Sequence, residues 1–269
     1  KTTLIRCLAG LTRADHGEIH LGGKPLKSVE ARKHLGFVPQ EIALYRDLTT
    51  RQNMVAFGRF YGLRRSELRN RLDWALQWTG LGERADDLVG TFSGGMQRRV
   101  NLACGVMHAP QILLLDEPTV GVDPQSRQRI FTMLDELSES GTSILLTTHH
   151  LDEAEERSDR IVILDQGQVV ADGSIEALVK QSVGTQRWVR LRIDRPLTAP
   201  LRVGAAADAA LIGTTGEDRI STRIDDVSTH LPGLIELVRR RGYGIVDVQV
   251  EAPSLHHVFL HLTGYELRD

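Results

Sequence analysis

Ile112-Leu113-Leu114-Leu115-Asp116-Glu117 is the stretch on which the fold turns. Its branched apolar residues come in succession and cannot alternate between core and water, so they predict a strand covered on both faces, as in a parallel sheet flanked by helices. Two carboxylates then follow at the strand's end, and in open α/β sheets that is where ligands bind. Adjacent acids are costly to bury there without a cation beside them. A magnesium ion carrying a nucleotide would supply the charge, with Asp116 holding the metal directly or through water and Glu117 polarising a water molecule. An isolated Asp-Glu would more simply cap the next turn, so the weight of this pair comes from its surroundings.

One helix upstream, Phe92-Ser93-Gly94-Gly95-Met96 sets a hydroxyl and two glycines where a helix begins, leaving N–H groups free to face an anion. Met96, Val100, Ala103, Cys104 and Met107 repeat at helical spacing until Ala109-Pro110. Downstream, Pro118 to Pro124 reads as a tight loop ending in an N-cap, Asp123, and a first-turn proline. The helix it opens carries Ile130, Phe131, Leu134 and Leu137, and Gly141 closes it. Ser143 to Thr147 predicts a second buried strand, with Thr148-His149-His150 at its carboxyl end. Neighbouring histidines there cannot both face one site, so at most one meets a ligand.

Toward the N-terminus, Leu35 to Val38 reads as a strand stopped by Pro39, which leaves Gln40 at its end. Lys1-Thr2-Thr3 opens a short helix with Leu4, Ile5 and Leu8 that Gly10 can end, and Gly17 to Gly23 is a short strand entering a glycine turn. Between about Glu41 and Gly90 the period is helical. Thr50 caps a helix carrying Met54, Val55, Phe57 and Tyr61, and Ser66 caps another carrying Leu68, Leu72, Ala75, Leu76 and Trp78. Trp74, Trp78 and Tyr61 read as packing residues.

Ile161 to Ala171 predicts a hairpin, after which Ser174 caps a helix and the first domain ends near Ser182. Beyond it, Trp188 to Ile193 alternates as a half-exposed strand. Leu231 to Arg241 forms an amphipathic helix, Val246, Val248 and Val250 alternate, and a last helix from Ser254 to Leu262 turns Leu255, Val258, Phe259 and Leu262 inward. The alanine-rich piece from Gly204 to Ala210 has no readable period, and this tail holds no catalytic cluster.

Composition adds exclusions. With 269 residues, 41% of them apolar, and a net charge of -2, the chain can build an ordinary core and has no basic field for nucleic acid. No apolar run approaches the roughly 20 residues a membrane-crossing helix needs, and no signal-peptide pattern opens the chain. Cys7 and Cys104 read as separate buried thiols in a reducing compartment.

In their order, Lys1-Thr2-Thr3, Gln40, Phe92-Ser93-Gly94-Gly95, Ile112 to Pro118, Val122-Asp123 and Thr148-His149 resemble the Walker A end, Q-loop, signature, Walker B, D-loop and H-loop of an ABC-type ATPase. The resemblance covers roughly residues 1 to 180. Phe-Ser-Gly-Gly-Met in place of the commoner Leu-Ser-Gly-Gly-Gln, with Ala252-Pro253-Ser254-Leu255 and Val258 to Gly264, is similar to the drug-export branch that includes daunorubicin-resistance-type pumps.

The resemblance implies an α/β P-loop NTPase with a RecA-like core over 1–182, a helical subdomain inserted at about 41–95, and a small C-terminal α+β domain over 187–269. It implies ATP and Mg2+ as cofactors. Lys1 would hold the β- and γ-phosphates and Thr3 the α-phosphate, while Thr2, Gln40 and Asp116 attend the metal. Glu117 would be the general base, Gln40 would sense the attacking water, and His149 would contact the γ-phosphate. Ser93, Gly94, Gly95 and Asp123 would serve a nucleotide bound by a second ATPase subunit in a head-to-tail homo- or heterodimer. The implied activity is ATP hydrolysis coupled to efflux through ABC permease membrane subunits, at the cytoplasmic face of the inner membrane and without nucleic acid. The glycines of the phosphate loop, the strand before them and the adenine-stacking aromatic would lie upstream of Lys1, so a truncated chain that binds ATP weakly is expected. A catalytically impaired dimer partner and a soluble ABC ATPase outside transport are the alternatives.

Overall fold

The computed structural model describes residues 1–203 and 210–264, so the alanine-rich stretch 204–209 lies outside the described residues. Contacts divide the chain into two compact units, Lys1–His149 and His150–Asp269.

In the first unit three parallel strands lie in the order Leu35–Val38, Ile112–Asp116, Ser143–Thr147. The central strand is covered on both faces, as its composition predicts. Leu113 and Leu115 enter one apolar cluster, with Val100, Ile130 and Met133, while Leu114 enters another, with Ile5, Leu26 and Leu35. Ser143–Thr147 corrects the expectation of a second buried strand. Ile144 and Leu146 pack on the larger cluster, while Leu145, which points to the opposite face, stays 41% exposed.

The helix Gly94–Gly105 lies against the strand Leu35–Val38 through two glycines. A Cβ at Gly36 would sit 2.8 Å from the Gly105 carbonyl oxygen, and one at Gly105 would sit 2.5 Å from Val38 Cγ2. This helix ends at Gly105, short of the expected Ala109-Pro110. The helical block holds Thr50–Phe60 and Arg65–Thr79. The first is capped by Thr49, not Thr50, in a reciprocal pair with Gln52. Ser66 lies inside the second, where Glu67 accepts from the Arg64 N–H. Trp74 and Trp78 stack with ring centres 5.0 Å apart, and Tyr61 stacks on His108.

In the second unit the strands Ile161–Asp165 and Gln168–Gly173 form the expected hairpin. Gln166 and Gly167 both have positive φ at its turn, which suits the right-handed twist of the strands. Ile161, Ile163, Leu178 and Val179 share a cluster with Leu255, Val258 and Phe259 of the last helix, Leu255–Thr263. Leu262, expected inward, is 36% exposed. Arg187–Ile193 is the middle strand of an antiparallel sheet between Arg219–Ile224 and Ile245–Glu251. Val189, Leu191 and Ile193 pack with Leu234 and Val238 of the helix Val227–Arg240. This helix begins before the expected Leu231, capped by Asp226 and carrying Pro232 within it.

The glycine contact yields a test. Gly36→Ala forces a Cβ against backbone and should cost roughly 1–3 kcal/mol, whereas Gly82→Ala, which meets nothing within 4 Å, should be near neutral. Urea unfolding midpoints at equal slope would measure both, and equal midpoints would refute the close approach.

Candidate active site

The central strand carries Asp116 to its carboxyl end, where the residue is only 3% exposed. The parallel register sets it directly beside Thr147, whose Oγ1 donates to Asp116 Oδ1 at 2.7 Å. Thr2, opening the helix Thr2–Leu8, places its hydroxyl 3.4 Å from the same oxygen. Hydrogen bonds to an ionised acceptor are strong enough to offset much of the cost of taking that carboxylate out of water.

Glu117 follows with φ 48°, a left-handed conformation that costs a non-glycine residue about 1–2 kcal/mol. One contact pair holds it there. The Glu117 N–H points at Thr147, 3.1 Å from its carbonyl oxygen and 3.2 Å from its Oγ1. The carboxylate, 16% exposed, then meets three partners: Gln40 Nε2 at 3.4 Å and His149 Nδ1 at 3.3 Å on Oε2, and Lys1 Nζ at 4.0 Å from Oε1. Lys1 Nζ also donates to the Thr148 carbonyl at 2.9 Å. Lys1, Thr2, Gln40, Asp116, Glu117 and His149 are thus brought together. Thr3 is exposed at the next helical position and does not join them.

Gln40 is placed by its own backbone. Arg98 donates to the Pro39 and Gln40 carbonyls at 3.0 and 2.5 Å, and Asn101 Oδ1 accepts from the Ala43 N–H. Asn53 accepts from the Tyr45 N–H and donates to the Tyr45, Leu48 and Thr49 carbonyls. All three side chains are buried. Burial lowers the Arg98 pKa, yet a guanidinium stays charged at any ordinary pH. Sequence reasoning misses these three residues and Thr147. Their one signal is polarity on buried helical faces: Asn101 stands between Val100 and Leu102, both fully buried.

Ser93, Gly94, Gly95 and Asp123 form a second group. Ser93 Oγ accepts from the Met96 N–H and caps the helix Gly94–Gly105. Asp123 Oδ2 accepts from the Ser126 N–H at 2.9 Å and caps Pro124–Glu139. Hydrogen bonds from the Ser126 N–H and hydroxyl hold the Asp123 carboxyl below the usual carboxylate range. A Cβ at Gly95 would fall 2.2 Å from Ser126 Oγ, so the two helix starts touch. Among the described residues no hydrogen bond or ion pair links this group to the Lys1–Glu117 cluster.

The parallel sheet and the helices that cover it are the fold of a P-loop nucleoside triphosphatase. Comparison with known proteins agrees. The family description "ABC transporter" matches residues 1–120, and "AAA domain, putative AbiEii toxin, Type IV TA system" matches 89–153. The chain is 36% identical to the linearmycin resistance ATP-binding protein LnrL of Bacillus subtilis (strain 168), over all of this chain and 88% of that protein. It is also 36% identical to the daunorubicin resistance ATP-binding protein DrrA3 of Streptomyces coeruleorubidus, over all of this chain and 85% of that protein. A solved ATP-binding subunit of an ABC transporter superposes with a TM-score of 0.61 at 31% identity, covering 67% of this chain and 76% of that one. The chain belongs to the ATP-binding subunits of ABC transporters, a family that binds and hydrolyses ATP.

Arg98→Met keeps an unbranched apolar stem and removes the guanidinium donors, leaving the Pro39 and Gln40 carbonyls without them. The expected loss is roughly 2 kcal/mol of stability, with faster amide exchange over residues 40–45 seen by mass spectrometry. Unchanged exchange there would show that this helix does not pin the loop.

Proposed function

We propose that the chain is the ATP-hydrolysing subunit of a bacterial ABC exporter and works as a head-to-tail dimer on separate membrane subunits. The observation that carries this reading is the Glu117 carboxylate, fixed at a strand end between Gln40, His149 and Lys1 and beside the buried Asp116. Relatives named for linearmycin resistance, daunorubicin resistance and Nod factor export support the direction of transport. No helix of the described residues is long and apolar enough to cross a membrane. The membrane path is assigned to a partner chain on the strength of neighbours such as cbiO1 of Clostridium perfringens, described as part of the complex cbiONQ, and the subunit then sits at the cytoplasmic face.

The residues present fit magnesium. The Thr2 hydroxyl and Asp116 carboxylate are hard oxygen donors converging at one strand end, and magnesium takes few protein oxygens, filling its shell with water and phosphate. When bound, the ion supplies charge neutralisation for phosphoryl transfer. The chain's own residues do the rest. The Lys1 ammonium attracts the β- and γ-phosphates, Thr3 meets the α-phosphate, and His149 meets the γ-phosphate. Glu117, with Gln40 beside it, orients the attacking water and accepts its proton. Hydrolysis is then mainly positioning and electrostatic stabilisation. Ser93, Gly94, Gly95 and Asp123 serve the partner subunit's nucleotide, a role in keeping with their separation from the Lys1 cluster.

Glu117→Gln in the intact transporter should keep ATP binding and lose turnover by about 10²- to 10⁴-fold. It should also accumulate an ATP-bound dimer visible by size-exclusion chromatography. Turnover at the parental rate would overturn this reading.

A further inference from the structure

Thr147 stands outside every motif read from the sequence, yet its one hydroxyl touches both acids. A carboxylate only accepts, so the Oγ1–H is committed to Asp116 Oδ1 at 2.7 Å. The same oxygen is left to accept from the Glu117 N–H at 3.2 Å. The hydrogen bonds therefore run in one direction, from the Glu117 amide to the Thr147 hydroxyl to the Asp116 carboxylate. The register makes this arrangement obligatory, because Asp116 and Thr147 are lateral neighbours on adjacent parallel strands.

A β-branched residue at a strand end also has an ordinary packing use. Packing alone would be served by valine, which has the same shape without the hydroxyl. What valine could not do is donate to a carboxylate that is almost wholly buried; the Glu117 amide would keep the residue-147 carbonyl, at 3.1 Å, and lose the hydroxyl that shares it at 3.2 Å. Without that donor Asp116 Oδ1 keeps only the longer approach of Thr2 at 3.4 Å.

We propose that Thr147 is a positioning residue of the ATP site, its hydroxyl fixing the Asp116 carboxylate for the metal and sharing the Glu117 amide with its own main-chain carbonyl. This rests on the ATPase reading above. Thr147 acts through Asp116 and Glu117 and contacts no reacting atom.

The test compares Thr147→Val and Thr147→Ser in the intact transporter, with Glu117→Gln beside them. Turnover is measured along with equilibrium binding of a fluorescent ATP analogue, with and without magnesium. Val should lower kcat about 10- to 100-fold and raise the magnesium concentration for half-maximal nucleotide binding several-fold, leaving metal-free binding unchanged, while Ser stays within about threefold of the parent on both. Parental kcat and magnesium dependence in Val, with Glu117→Gln inactive, would overturn the proposal and leave the ATPase reading standing. Equal loss in Val and Ser, with lowered melting temperatures and no change in magnesium dependence, would overturn it in favour of a structural role. Normal turnover by Glu117→Gln would sink the reading on which the proposal stands.

Discussion

A carboxylate at the end of a fully covered apolar strand must be given partners by its neighbours, and the structure of the first unit follows from that need. Asp116 cannot reach bulk water, and the strand behind it is all hydrocarbon. Its compensation comes sideways from Thr147 and from the opening helix through Thr2. A shift of one residue in the parallel register would set Asp116 beside Leu146 or Thr148 and strip it of the shorter bond. The site and the sheet register are one specification.

A second constraint brings Gln40 to that strand end. Gly36 and Gly105 allow the helix Gly94–Gly105 to approach the strand Leu35–Val38 more closely than any side chain would permit. At that separation Arg98, on the helix, bridges to the Pro39 and Gln40 carbonyls. The glycines matter for site geometry because they set the distance across which a guanidinium must reach.

Much of this was legible in the residues. The unbroken Ile-Leu-Leu-Leu run announced a two-sided strand, Asp123-Pro124 announced a helix start, and Gln166-Gly167 marked a hairpin turn, each being local chemistry. The motif order carried the family. What escaped depends on long-range partners. Ser143–Thr147 has the composition of a buried strand, but exposure is set by what covers each face, and only the face of Ile144 and Leu146 meets the larger cluster. Pro232 masked the first turns of its helix, since proline there reads as a boundary. The core that the hairpin shares with a helix about a hundred residues downstream has no local signal either. Arg98, Asn101 and Thr147 have no motif, because a hydrogen bond to a distant backbone or side chain leaves no periodic trace.

Gly95 shows how one residue can serve two requirements. Its usual reading is a free N–H near an anion, which concerns only the ligand. In this chain a Cβ there would also collide with Ser126, the residue whose N–H is capped by Asp123. The starts of two helices, Gly94–Gly105 and Pro124–Glu139, are therefore in contact, so Ser93 and Asp123 are carried by one packed body. The same first helix grips the Gln40 loop through Arg98 and Asn101.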